Sequence, residues 1–371
     1  MLRATVTPLA SILGSGLLII VPVLERTLGS LAVLGAVGVS VLAWLVGTAI
    51  RHNVTTIEPL AADGELDPAT ARLERIGDAV IVVAYIISVA LYLRIMAQYI
   101  LGYASPGAHP AIERMIAVAA VVVIVVAGVT RGFAGLDRLD RVSLIAVLVL
   151  TTVLGAAMVW HDATELLTGQ GLSLPPLPGI DLGTLLVLGG IVITVQGFET
   201  VRYLGDVFDA PTWVWASRVA QLTAASIYIG FTAAATPAMG LGTPAGADTT
   251  LLDITDRIAP LLALPLALSA VLSQFSAAVA DTAAADGNLR RLSPRMHGFR
   301  PYLISGAAAA ALAATVPTFT IVAIASRAFA AYYAVQCVIA LRSSHGTVRK
   351  ISYGVLAAVM ALITLFALPA G

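Results

Sequence analysis

The feature that most constrains the fold of this chain is a series of apolar segments separated by short polar stretches. Most are long enough, at about 20 residues, for a helix to cross the roughly 30 Å of hydrocarbon in a bilayer. The composition agrees, since 59% of the residues are hydrophobic and 11% are charged, whereas soluble domains carry about 25% charged residues. The sequence therefore predicts an all-α polytopic membrane protein whose surroundings are the lipid bilayer.

We predict eleven transmembrane helices, numbered spans 1 to 11 along the chain. Their approximate bounds are 6–24, 29–50, 76–103, 112–130, 142–160, 182–204, 218–241, 259–284, 301–316, 318–341 and 350–369. Pro317 separates spans 9 and 10, because proline interrupts a helix and the segment around it is too long for one crossing. The polar segment 51–75 is expected to be partly helical at the membrane surface, and 242–260 to hold a short amphipathic helix.

The distribution of basic residues predicts the orientation. With the N-terminus inside, fifteen of the 21 Lys and Arg residues fall on the cytoplasmic side, where such residues are enriched. The protein is therefore expected in the cytoplasmic membrane as a single transmembrane domain. Its N-terminus would be cytoplasmic and its C-terminus would lie on the outer side.

Two spans carry helix-breaking residues at mid-depth. Span 1 contains Leu13-Gly14-Ser15-Gly16, and span 6 contains Gln196-Gly197-Phe198-Glu199. Lipid cannot satisfy freed backbone groups, so irregular backbone at this depth must line a cavity or meet a ligand. Paired breaks in two halves are typical of secondary transporters with inverted repeats. We therefore predict a substrate site at these residues, with close helix packing through small residues as the alternative for span 1.

Three segments carry a resemblance to a known family. They are PLASILGSGLLIIVP in span 1, QGFETVRYLGDVFDAP in span 6 and LSAVLSQFSAAVADTAAADGNL in span 8. In this order they resemble the amino acid–polyamine–organocation (APC) superfamily. The resemblance implies the LeuT fold, with one repeat at about 6–160, a second inverted repeat at about 182–341, and an extra helix at 350–369. It also implies secondary transport of a small amino acid or related organic ion by alternating access.

Charged and aromatic residues at membrane depth are further site candidates. Arg94 in span 3 can face the site, pair internally with Glu199, or extend its charge to the interface. Tyr92, on the same span, can line the pocket or simply pack. Glu199 needs a partner or a role at this depth. The resemblance implies that it either holds backbone N–H groups in the break or faces the amine of the substrate, and a pair with Arg202 at helical spacing is the alternative.

Other residues are candidates for ion coupling or gating. Ser273 and Ser276 in span 8 can coordinate Na⁺ or bond back to their own helix. Asp281 and Asp286 can carry protons or form interfacial salt bridges with Arg290, Arg291 or Arg3 that help close the inner gate. Arg327 in span 10 is the last of this group. No resident cofactor is expected beyond Na⁺ or H⁺ as a coupling ion, and span 5 lacks the lysine that the resemblance associates with proton-coupled members.

Other classes of function fit less well. The five histidines are scattered, and the sequence contains neither HExxH nor GxSxG, so we do not expect an enzyme. No basic run indicates a nucleic-acid partner, and the single Cys337 indicates neither a disulfide nor a thiolate metal site. An inorganic cation or metal carrier, or a channel-like protein, is the alternative to an organic solute carrier.

Overall fold

The computed structural model describes residues 2–132, 136–169, 171–177, 179–200, 209–239, 250–293 and 295–369. Within these ranges all regular structure is helical. The α-helices are α1 (Leu2–Leu28), α2 (Ala32–Ala62), α3 (Pro68–Ala104), α4 (Pro110–Arg131), α5 (Leu136–Leu167), α6 (Leu182–Gly189), α7 (Ala210–Met239), α8 (Thr250–Ile258), α9 (Ala263–Leu292), α10 (Arg300–Thr315), α11 (Thr318–Ser343) and α12 (Thr347–Phe366). Short 3-10 turns occupy Gly29–Leu31, Val192–Val195 and Pro260–Leu262.

Eight helical segments of the described chain are long and apolar enough to cross a membrane. One of them is a 59-residue stretch that contains most of α1 and all of α2. By contrast, α6 has 8 residues and α10 has 16, fewer than the roughly 20 that one crossing needs. An all-helical polytopic membrane protein is therefore confirmed, while the count of eleven spans stays a prediction.

The polar segment 51–75 continues the neighbouring helices and does not form a separate one. Helix α2 runs on through Pro59 to Ala62, and α3 begins at Pro68. Asp67 caps α3 by accepting hydrogen bonds from the N–H groups of Ala69 and Thr70, which satisfies donors that a helix start leaves free. The hydrogen bonds from Thr70 lower the pKa of the Asp67 carboxyl.

A helix boundary and a short helix were also predicted from local sequence, and both are confirmed. Helix α10 ends at Thr315, and Pro317 is the N-cap of α11. The amphipathic helix expected within 242–260 is α8, Thr250–Ile258, and residues 240–249 lie outside the described chain. Both features depend on local backbone chemistry and on the pattern of apolar residues, which the sequence contains directly.

Span 1 is not broken at Gly14-Ser15-Gly16, so this prediction was wrong. Helix α1 is continuous from Leu2 to Leu28. The physical reason is packing: a Cβ at Gly16 would overlap the Thr194 carbonyl oxygen and the Tyr228 hydroxyl. Glycine permits a break without requiring one, and at Gly16 it allows close approach of another segment. The alternative of close packing through small residues is thus correct for Gly16.

Span 6 is broken, as predicted. Helix α6 ends at Gly189, Gly190 and Ile191 form a turn, and a 3-10 turn covers Val192–Val195. Gln196 and Gly197 are not helical, and Gly197 has φ +120°, a backbone conformation that favours glycine. Arg202, predicted as a partner of Glu199, lies among residues 201–208, outside the described chain.

Helix packing gives the molecule a buried centre and an apolar exterior. Helix α3 packs along α9 and α11, while α1 and α2 pack along α7. The outer helices expose large apolar side chains such as Val122 and Val126 on α4 and Leu362 and Leu365 on α12. Such exposure is favourable in lipid and unfavourable in water.

Candidate functional site

The centre of the candidate site is the break in span 6, which lies against the middle of α1. A Cβ at Gly197 would come within 2.7 Å of both the Ile12 backbone nitrogen and the Ser11 Oγ. Real Cβ contacts do not occur at that distance, so only glycine fits there. The backbone of the break therefore touches the backbone of α1 directly.

Glu199 is the carboxylate of the break and is fully buried. Its Oε2 atom accepts hydrogen bonds from the Gly197 N–H and from the Tyr333 hydroxyl, each at 2.9 Å. The Phe198 ring stacks on Tyr333 with centroids 5.2 Å apart. Of the predicted roles, holding a backbone N–H is confirmed, because the carboxylate replaces a hydrogen bond that the helix break removes.

Polar side chains on three further helices connect to the break or to the α1 segment beside it. The Gln196 amide donates to the Tyr92 hydroxyl on α3 at 2.6 Å. Gln274 on α9 donates to the Gly14 carbonyl of α1 at 2.5 Å. On α7, the Tyr228 hydroxyl lies 2.5 Å from the Ile12 carbonyl oxygen and 2.9 Å from the Thr194 carbonyl oxygen. Tyr228 therefore bridges α1 and the 3-10 turn.

The break and the neighbouring helix α9 carry buried acceptor atoms. Within the described chain, Gln196 Oε1, Glu199 Oε1 and Gln274 Oε1 are buried without a hydrogen-bond partner. Such atoms are rare in folded proteins because each one costs about 1–3 kcal/mol. All three are acceptors, so the group that complements them chemically is a donor such as an ammonium.

The space around the break is small. Cavities of about 10 Å³ each lie beside Phe198 and beside Tyr228. Pockets that enclose a small-molecule ligand usually measure about 300–1,000 Å³. The structure therefore represents a closed conformation of this region.

Arg94 is buried in a different part of the molecule. Its guanidinium forms an ion pair with Glu113 of α4 at 3.1 Å and donates to Thr318 Oγ1 at 3.2 Å and the Ala313 carbonyl at 3.4 Å. The hypothesis that Arg94 pairs with Glu199 is wrong, because Glu113 supplies the carboxylate from a neighbouring helix. A contact between Arg94 and a substrate stays a prediction.

The two serines predicted for ion coupling have different partners. Ser273 Oγ donates to the Ala270 carbonyl of its own helix at 3.2 Å, as the helix-bonding alternative predicted. Ser276 Oγ donates to Asp140 Oδ1 on α5 at 2.6 Å. Only Ser276 is therefore joined to an acidic group of another helix by these bonds, and Na⁺ coordination by either residue stays a prediction.

The two aspartates of span 8 also differ. Asp286 pairs with Arg290 at 2.8 Å, as predicted, and this hydrogen bond raises the pKa of Arg290. Asp281 is buried and has a serine as its hydrogen-bond partner, the Ser88 hydroxyl of α3. The predicted salt bridge is thus correct for Asp286, while the structure pairs Asp281 with Ser88 and the side chain of Arg3, another predicted partner, lies outside the described residues.

Arg327 does not contact the break with its charged group. Its Nε and one terminal nitrogen donate to the Ala367 carbonyl at 2.9 and 2.5 Å, which caps the end of α12. The next residue, Leu368, donates its N–H to the Leu186 carbonyl of α6 at 3.0 Å. Arg327 therefore fixes the end of α12 beside α6, and a gating role stays a prediction. For Ser15, only the backbone is described.

Sequence reasoning missed several residues of this region. They are Ser88, Asp140, Tyr228, Gln274 and Tyr333. Gln274 and Asp140 had a usable signal, since polar side chains near or within membrane spans are costly and need partners. The hydroxyls of Ser88, Tyr228 and Tyr333 had none, because these residues also pack in ordinary helix interfaces.

Comparison with known proteins identifies the family. The family model described as "APC superfamily transporter" matches residues 1–367. An uncharacterized protein of Aquifex aeolicus (strain VF5) is 33% identical over 342 residues, which cover 90% of this chain and 82% of that protein. The match extends over nearly the whole chain and includes both the break and the helices around it. The protein belongs to the APC superfamily of transporters.

Proposed function

We propose that this protein is a secondary active transporter that moves a small amino acid or a related organic ion across the cytoplasmic membrane by alternating access. The observation that carries the proposal is the buried break at 190–197, closed by Glu199 and pressed against α1. Irregular backbone at membrane depth is tolerated where it is buried in protein or lines a cavity. In transporters it forms the substrate site.

The polar atoms around the break support a substrate with an amine. Glu199 Oε1 and Gln196 Oε1 in the break, and Gln274 Oε1 on α9, are buried acceptors. An ammonium group offers three donors, and an adjacent carboxylate strengthens such hydrogen bonds by its charge. Apolar walls from Phe198 and Val195 suit a small side chain next to the amine.

Helix packing supports the five-plus-five arrangement. If α1 to α5 correspond in order to span 6, α7, α9, α10 and α11, then equivalent pairs should pack alike. Helix α3 packs on α4 and α11, and its counterpart α9 packs on α10 and α5. Likewise α2 packs on α11, and its counterpart α7 packs on α5. Under this proposal α12 is the additional helix.

The same contacts support a two-part mechanism. Helices α1, α2 and α7 pack together around the break, and α3, α4, α9 and α10 form a second group. Rocking of one group against the other would open the break first to one side and then to the other. The hydroxyl of Tyr228 would hold the break to α1 within the moving group.

Counterflow tests the proposal. Purified protein in liposomes loaded with an unlabelled amino acid mixture should accelerate entry of the tritiated mixture, because only a carrier exchanges solute across the membrane. A channel would show no acceleration. Labelled divalent cations in place of the amino acids test the metal carrier, and exchange of those ions alone would contradict the proposal.

A thermal-shift screen identifies the substrate class. Ligand binding stabilises the folded protein by RT ln(1 + [L]/Kd). Amino acids and amines should raise the melting temperature, while matched carboxylic acids without an amine should not. Stabilisation by the acids alone would contradict the role of the buried acceptors.

A further inference from the structure

A second buried acidic site lies below the break, between α3 and α9. Asp281 on α9 is 3% exposed, and Ser88 on α3 is fully buried. Asp281 follows Gln274 by seven positions, which is about 10 Å along a helix. Ser88 precedes Tyr92 by one helical turn, so both helices place this site on the predicted cytoplasmic side of the break.

The hydrogen-bond partners of Ser88 indicate a proton on Asp281. The Ser88 hydroxyl contacts the Tyr85 carbonyl oxygen at 2.9 Å and also contacts Asp281 Oδ2. A serine hydroxyl has one hydrogen to donate, a carbonyl oxygen can only accept, and an ionised carboxylate can only accept. Both contacts are therefore hydrogen bonds only when Asp281 is a carboxylic acid. Its O–H then donates to the Ser88 hydroxyl oxygen, and the Ser88 hydroxyl donates to the Tyr85 carbonyl oxygen.

The charges around Asp281 favour the same protonation state. Helices α1, α3, α4, α5, α8 and α10 all pack on α9. Among the side chains that the structure describes, the charged groups that interact with Asp281 are Asp140 of α5 and Glu199 of the break, and both are acidic. In the described parts of the other helices on α9, no basic side chain bonds to Asp281.

Burial among acidic groups strongly disfavours the ionised form of Asp281. A buried ionised carboxylate without a cation is strongly unfavourable and takes up a proton where it can. Neighbouring negative charge increases this preference. Glu199 is already stabilised as a carboxylate by two donors. In the closed structure, the surroundings of Asp281 therefore stabilise its neutral, protonated form.

We propose that Asp281 is a proton-binding site that couples transport to the proton gradient. The inference rests on the proposed transport function. In the closed conformation Asp281 holds a proton on one carboxyl oxygen. When the α3–α9 region opens to water, that O–H bond breaks, the proton passes to a water molecule, and the carboxylate remains solvated. The empty carboxylate must bind a proton again before the interface closes, which links the conformational cycle to proton movement.

A second acidic group lies in the same region. Helix α5 contributes Asp140, which accepts a hydrogen bond from Ser276 of α9. The acidic cluster of Asp140 and Asp281 thus occupies the junction of α5, α9 and α3.

Infrared difference spectroscopy tests proton binding without any substrate. The purified full-length protein in liposomes is moved between acidic and alkaline buffer, and the carbonyl band of protonated carboxyls is recorded in H₂O and D₂O. Asp281→Asn should lose one band that wild type shows. Asp63→Asn, on an exposed loop, should keep it. An unchanged band in Asp281→Asn would overturn the proposal.

Ser88→Ala is a second test of the proton site, for the case in which Asp281→Asn does not fold. This variant keeps the carboxyl but removes its hydroxyl partner, so the same band should persist at a shifted frequency. A band at the wild-type frequency would show that the titrating carboxyl does not bond to Ser88. That result would also overturn the proposal.

Transport assays connect the site to coupling. With a tritiated amino acid mixture, Asp281→Asn should retain counterflow but lose the accumulation that a proton gradient drives in wild type. Gradient-driven accumulation by the variant would contradict the proton site. Absence of counterflow in wild type would instead contradict the proposed function, and the infrared experiment would still test the proton site independently.

Discussion

Glu199 shows how a single carboxylate can be stable in the membrane interior. A charge at this depth costs at least about 2.5–3.5 kcal/mol on insertion scales. Two donors, the Gly197 N–H and the Tyr333 hydroxyl, meet one of its oxygens. The other oxygen lacks a partner within the described chain. Oε2 therefore stabilises the fold through these two hydrogen bonds, and Oε1 is available to a ligand.

Replacing Glu199 by glutamine should separate these two roles. The amide oxygen can still accept from Gly197 and Tyr333, so the melting temperature should change little. Binding of an amine should weaken at least tenfold, about 1.4 kcal/mol, because the charge is lost. Calorimetric titration with the amino acid that stabilises wild type measures this. Unchanged affinity would place the amine elsewhere.

The ion pair of Arg94 and Glu113 is a structural feature of the packed helices. Arg94→Met should destabilise the protein by about 3–5 kcal/mol, because it leaves a mostly buried carboxylate without its partner. The double variant with Glu113→Gln should recover part of this loss. Thermal unfolding in detergent measures both, and equal stability of the single variant and wild type would contradict the structural role.

An exposed pair provides the control for that experiment. Arg342 and Asp67 lie 3.3 Å apart, with 45% and 55% of their side chains exposed. Water and salt screen exposed pairs. Arg342→Gln should therefore leave the melting temperature nearly unchanged.

At the scale of helices, α1 and span 6 show that glycine has two different uses in a membrane. In span 6, Gly197 adopts a positive φ in the non-helical stretch that follows the 3-10 turn. In α1, Gly16 stays helical and allows the Thr194 carbonyl and Tyr228 to approach. The two elements are complementary, because the irregular backbone of one occupies the space that the other leaves free of side chains.

Gly16→Ala should destabilise this contact. Its Cβ would overlap the Thr194 carbonyl oxygen, and overpacking of this kind costs about 1–3 kcal/mol. Gly38→Ala on α2 is the matched control, since nothing lies within 4 Å of its Cβ position, and it should be neutral or slightly stabilising. Comparison of the two melting temperatures measures the difference, and equal values would refute close packing at Gly16.

At the scale of the whole molecule, the helix groups and the orientation decide how transport would proceed. The positive-inside distribution predicts that the α2–α3 loop is cytoplasmic and that the α3–α4 loop is outside. Cys337 is fully buried, so a cysteine introduced on the surface can be labelled selectively.

Single cysteines at Glu65 and Ser105 test this orientation. Both positions are exposed and lie at opposite ends of α3. In intact cells a membrane-impermeant maleimide should label Ser105→Cys and not Glu65→Cys, whereas both should react after the cells are lysed. Labelling of only the Glu65 position in intact cells would reverse the orientation.

The sequence by itself determined the elements of this protein. Hydrophobic length identified an all-helical membrane protein, Pro317 set the boundary of α10 and α11, and the QGFE segment located the break in span 6. These features are local: apolar length, the missing N–H of proline and the backbone freedom of glycine act within a few residues. The resemblance in spans 1, 6 and 8 then indicated the family that the comparisons confirmed.

Only the tertiary structure decided which groups meet. It kept α1 helical at Gly16, paired Arg94 with Glu113, gave Tyr333 to Glu199, and joined Asp281 to Ser88. Each of these contacts links helices that are distant in the sequence, so its geometry depends on how whole helices pack. A local pattern shows that a buried polar group needs a partner, but packing alone selects that partner from the many that chemistry allows.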